Sequence, residues 1–268
     1  IKQETKLINI KDLQSQITQV VDKMWPSVVN VIIKKDLPLY RQDPFWFFRE
    51  QVWSVTRQIW GWSGFIISKN GYILTNKHVV SESDSTYTVI TNDQKEYDAK
   101  IIAIDKMTDL AILKIESQDE FIPLKSIQSL DNLRIWEFVI AIWNALAEFQ
   151  NSVSFWVLSW KNRTIEAWTQ TQTSIEKLTW LLQTDAAINP WNSWWPLLNL
   201  DGEVIWINTA IAWNGQGLWF SIPLTQKRID YILSSISKYN TIKRPFIWIN
   251  YISLNSNIAN QLWLKSEY

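Results

Sequence analysis

Between residues 63 and 223 short runs of β-branched and aromatic residues recur with little helical spacing between them. "GFIISKNGYILTN" (64–76) turns at Lys69-Asn70-Gly71 and predicts a hairpin. "TYTVIT" (86–91), "EYDAKIIAID" (96–105) and "LAILKIE" (110–116) follow. After a turn-rich joint at 117–134 come "EFVIAI" (137–142), "SVSFWVLS" (152–159), "LLQTDA" (181–186), "PLLNLDGEVIWINTAI" (196–211) and "LWFSIP" (218–223). Asp201-Gly202 marks a second hairpin. Strands this short and this frequent restrict the fold to all-β, either a sandwich or a pair of barrels. A further strand is expected in "SVVNVIIKK" (27–35), and helices at 8–24 and 225–240. Residues 36–60, with Pro38, Pro44 and "DPFWFF" (43–48), read as a long surface loop.

A β-rich chain needs glycine for turns, bulges and left-handed backbone. This one has 6 Gly and 19 Trp in 268 residues. Together they number 25, about 9% of the chain, close to an ordinary glycine load. Many Trp stand where the chain must turn: Trp60 and Trp62 around Gly61, Trp143 before Asn144, Trp160 before Lys161, Trp213 before Asn214. They form no stripe or period that would make a carbohydrate platform or a membrane belt. The remaining totals exclude more than they assign. Zero net charge gives no reason to expect nucleic acid as a partner. With no Cys and one His, disulfides, thiolate metal sites and histidine-based zinc sites are not expected, and no cofactor is implied. The first residue is Ile, which is expected of a fragment.

Three stretches carry chemistry: "LTNKHVV" (74–80), "TDLAILKI" (108–115) and "NPWNSWWPLL" (189–198). They supply a His, an Asp and a Ser in that chain order. A serine hydroxyl becomes a nucleophile when a base takes its proton and an acid orients that base. Any histidine base must be His78. Ser193 is the candidate nucleophile. Asp109 and Asp105 both stand as candidate orienting acids.

The three stretches resemble those of trypsin-like proteases of the HtrA/DegP type. "GYILTNKHVV" is similar to the catalytic-His segment and "TDLAILKI" to the Asp segment, which favours Asp109. "QTDAAINPWNSWWPLLNLDGEVIWINTAI" (183–211) follows the Ser segment once Trp is read as Gly. The same exchange repairs "MWPSVV", "AIWNA", "SVSFWVLS", "GLWFSIP" and "RPFIWINY", and at least a dozen of the 19 Trp fall where the family has glycine. A gene that reads UGA as glycine, translated with Trp at UGA, would give this pattern.

The resemblance implies two six-stranded antiparallel β-barrels with short N- and C-terminal helices. It divides the chain into a helical segment (1–25), a first barrel (26–125) with His78 and Asp109, a second barrel (126–235) with Ser193, and a linker with the truncated start of a PDZ domain (236–268). It implies an oxyanion hole from the backbone amides of Trp191, where Gly is expected, and Ser193. A substrate pocket is implied at Ala187, Ile188, Ile207, Asn208 and Thr209, with a preference for small to medium apolar residues. The loop at 36–60 is expected to serve oligomer contacts or gating, or to form a local apolar staple. The implied function is endoproteolysis of unfolded or misfolded protein in the cell envelope, by a homotrimer or higher oligomer, with a membrane anchor upstream of residue 1. Two other readings compete: an inactive, peptide-binding or chaperone-like homologue in which the Trp are genuine, and a Trp-rich carbohydrate binder.

Overall fold

The computed structural model describes residues 10–42, 49–105, 108–145, 149–168, 175–184, 196–211 and 219–244. Its strands form two closed barrels in which neighbouring strands run antiparallel. The first contains β1 (Val28–Gln42), β2 (Arg49–Ile66), β3 (Tyr72–Thr75), β4 (Ser85–Ile90), β5 (Glu96–Ile104) and β6 (Ala111–Lys114). Around the barrel they follow the order β1-β2-β3-β6-β5-β4. The second contains β7 (Phe138–Ala145), β8 (Phe149–Trp168), β9 (Ile175–Thr184), β10 (Pro196–Leu198), β11 (Val204–Ile211) and β12 (Trp219–Pro223). Their order, β7-β8-β9-β12-β11-β10, repeats the first path six strands later. The pair of six-stranded barrels is therefore as expected.

Local chemistry explains the sharp turns. Gly71 sits at φ +85°, and a Cβ there would lie 2.5 Å from the carbonyl oxygen of Ile115. Gly202 sits at φ +78° in the β10–β11 hairpin. Both hairpins are where the sequence predicts them. Two helices flank the barrels, α1 (Ile10–Met24) and α2 (Gln226–Tyr239). In α1, Ile17, Val20, Val21 and Met24 share one face and pack on the core. The hydroxyl of Thr225 caps α2 by accepting from Arg228 N, and Asn240 ends it in the left-handed conformation at φ 52°.

Two sequence expectations change. The surface loop read at 36–60 is mostly strand, because β1 and β2 continue as a two-stranded ribbon out to the pair Gln42↔Arg49. β4 leaves β1 after Lys35↔Ser85, so beyond that point β1 is an edge strand and tolerates Pro38 without losing a ladder bond on a second side. The cluster at 43–48 lies outside the described residues. Likewise β8 runs on to Trp168 and β9 starts at Ile175, well beyond the short runs read from the sequence.

Strand alternation sorts the core. On β1, Val29, Val31 and Ile33 point into the first barrel, where they meet Ile66, Ile73, Val89, Leu113 and Ile115. On the same barrel, Val28, Phe65, Leu74, Leu110 and Ile112 point the other way. They join Ile140, Ile142, Leu198, Val204 and Ile207 of the second barrel in one cluster that also takes in α1 and α2. The two barrels therefore share a core, and residues bordering it are held from both sides.

Candidate active site

β3 and β6 pair antiparallel, with Thr75 opposite Ala111, so the end of β3 lies beside the start of β6. A 3-10 turn, Lys77–Val80, follows β3 and carries His78. Asp109 stands just ahead of β6. The pairing brings the two together: His78 Nδ1 lies 2.6 Å from Asp109 Oδ2. The His78 backbone N–H donates to the other carboxylate oxygen at 3.1 Å. Asn76 Nδ2 donates to Oδ2 at 3.0 Å. Three N–H groups thus fix one carboxylate. The side chains of His78 and Asp109 are 12% and 17% exposed, so water competes little for these bonds. Below them the Thr75 hydroxyl donates to Ser63 O at 3.0 Å and anchors the end of β3 to β2. The Trp62 ring stands edge-on to the imidazole, with centroids 6.4 Å apart.

A carboxylate only accepts, so the proton of the imidazole sits on Nδ1 and leaves Nε2 as the basic nitrogen. This is the tautomer a general base needs. Among the described residues no cluster of His, Cys, Asp or Glu could hold a metal ion.

Of the two candidate acids, Asp109 meets His78. Asp105 is buried elsewhere, on Arg244 and Thr108. Ser193, Trp191, Ala187 and Ile188 lie outside the described residues. Ile207 is fully buried in the core shared by the barrels, and Asn208 and Thr209 continue the same strand, with Asn208 opposite Ser221. Asn76 is a contact to this carboxylate that sequence reading did not single out. Its place before a 3-10 turn marks it as a cap, but its side chain makes no capping bond and turns to Asp109 instead.

Two six-stranded antiparallel barrels sharing one core, with a carboxylate-held imidazole at the end of a first-barrel strand, define the trypsin-like fold. A sequence model for the trypsin-like peptidase domain matches residues 62–207, more than half of the chain, and the chain belongs to that family. It is 33% identical over 264 residues to the serine protease HhoB of Synechocystis sp., covering 94% of this chain and 60% of that protein. It is 42% identical over 202 residues to a periplasmic DegP-like serine endoprotease of Pseudomonas fulva, covering 74% of this chain and 39% of that one. The chain therefore spans less than two thirds of the length of these curated relatives. The solved structure of the HtrA-type protease AlgW with a decapeptide aligns at TM-score 0.69 and 28% identity, over 92% of this chain and 75% of that one.

Proposed function

We propose that this chain carries the catalytic unit of a serine endopeptidase of the HtrA/DegP kind, acting on unfolded or misfolded protein outside the cytoplasm. The observation that carries this reading is the 2.6 Å bond between Asp109 and the chain's one histidine. His78 Nε2 takes the proton of the Ser193 hydroxyl as the oxygen attacks the scissile carbonyl. Asp109 stabilises the imidazolium that results. The backbone amides of residues 191 and 193 receive the oxyanion. His78 then gives its proton to the leaving amine, and water resolves the acyl-enzyme by the same steps. The names of the relatives support the setting: DegP-like relatives are called periplasmic, and an HtrA-type protease has been solved with a bound peptide.

The finer parts of the proposal follow the family likeness. The pocket is lined by Ala187, Ile188 and Ile207 to Thr209, and with no carboxylate among these it takes apolar side chains. The chain divides into a helical segment to residue 25, barrels at 26–125 and 126–235, and a linker leading into the start of a PDZ domain within 236–268. It assembles as a trimer or larger oligomer with an anchor ahead of residue 1. The tryptophans printed at glycine positions are glycines in the native protein. Ser193→Ala tests the core of the reading. The parent is expected to cleave casein and to be labelled by a fluorophosphonate, and the variant to do neither. Labelling or cleavage that survives the substitution would overturn it.

A further inference from the structure

The turn that delivers Asp109 is held by residues far away in the chain. Asp109 is the middle residue of a three-residue turn, in which Leu110 N donates to Thr108 O at 2.8 Å. The direction of its carboxylate therefore depends on how firmly Thr108 and Leu110 are fixed. Leu110 is fully buried in the core shared by the barrels. Its carbonyl accepts from Asp105 N at 2.9 Å, which closes the turn. Thr108 is fixed by a polar cluster. Its hydroxyl donates to Asp105 Oδ2 at 2.6 Å and accepts from Arg228 Nη2 at 3.2 Å. Arg244 Nε donates to Asp105 Oδ1 at 3.0 Å, and Arg244 Nη2 bonds Oδ2 as well, a bidentate pair. Arg228 also donates to Pro223 O at 3.1 Å, at the end of β12.

The cluster is built for this spot. Asp105 is 2% exposed, and two guanidinium groups converge on its side of the turn. Burial, then the nearby charge of Arg244, pull the Arg228 guanidinium down to about 10, with Asp105 opposing. Asp105 is the countercharge that lets both cations stay.

We propose that Asp105, clamped by Arg244 and linked through Thr108 to Arg228, is a positioning residue that holds Asp109 against His78. The chain leaving α2 thereby sets the orientation of the catalytic acid. This rests on the reading of Asp109 as the acid that orients the base, and its test reads the His78 ring itself. With one histidine in the chain, histidine-labelled protein gives ring signals from His78 alone. Arg244→Ala removes the clamp and also relieves the two cations. It is expected to shift or broaden the His78 Nδ1 proton signal and to slow fluorophosphonate labelling about ten- to hundredfold in a protein that still unfolds cooperatively. Arg244→Lys should recover part of both. Lys69→Ala, which removes a surface pair with Glu120, should change neither. Should Arg244→Ala not fold, Thr108→Val, which keeps shape and loses the hydroxyl, is read in the same way. A folded variant with the parent's His78 signals would overturn the clamp. A parent that never reacts with the fluorophosphonate would instead sink the endopeptidase reading, while the ring signals still decide the clamp.

Discussion

Three donors hold the Asp109 carboxylate, and one of them, Asn76, is replaceable without touching the imidazole. Asn76→Ala should lower kcat by about ten- to hundredfold, the loss of one hydrogen bond to a charged group of about 1.5–3 kcal/mol. Steady-state kinetics on a peptide substrate checks this, with KM expected within about twofold of the parent because the contact is remote from bound substrate. His78 was legible in the sequence by arithmetic, as the one histidine. Asp109 was separable from Asp105 only by family likeness, since both are carboxylates in one turn and the geometry that divides them is tertiary. The tryptophans carry a separate residue-scale consequence. Among described residues other than glycine, positive φ occurs at Asp84, Gln94, Asn162, Asn240 and Trp136. Three are Asn or Asp, which tolerate such backbone; Trp136, at φ +72°, is a bulky side chain in a conformation made for glycine. Trp206 is fully buried and its indole N–H has no acceptor among the described residues, a cost of about 1–3 kcal/mol that glycine would not carry. Both support reading these positions as glycine. Protein purified from its native source should then weigh less than the printed sequence by one indole-bearing side chain per exchanged site, and an intact mass equal to the printed sequence would contradict this.

The elements most legible in sequence are those set by local chemistry. Gly71 and Gly202 fix two hairpins, and the apolar faces of α1 and α2 follow helical spacing. The outer part of the β1–β2 ribbon was not legible, for a physical reason. Beyond Lys35 no third strand among the described residues pairs with it and there is no barrel to cover, so its side chains show no buried alternation: Leu37 and Val55, opposite each other, are both exposed. Pro38 and the polar residues around it then read as a loop. A ribbon held by its own ladder and little burial should open independently of the barrel. Amide exchange at Asp36, Leu37 and Ser54–Thr56 should run at least about tenfold faster than at Asn30–Ile33, where β1 is paired on both sides. Equal protection of the two stretches would show that something else covers the ribbon.

At the scale of the whole molecule, the shared core ties catalysis to the docking of the barrels. Leu110 and Leu113 lie on one strand approach, both fully buried, but Leu110 faces the shared core and Leu113 the interior of the first barrel. Replacing either by Ala should cost about 2–5 kcal/mol in urea unfolding. Only Leu110→Ala should also reduce activity where both variants are folded, because it loosens the residue next to Asp109. The repeated strand order has a consequence of a different kind. His78 follows the third strand of the first six, and Ser193 stands in the sequence just after the third strand of the second six. On the proposed roles, proton acceptor and nucleophile thus belong to corresponding connections of two six-stranded sets with the same strand order. That is the signature expected of an ancestral gene that doubled and fused, after which one and the same connection took up opposite halves of a reaction.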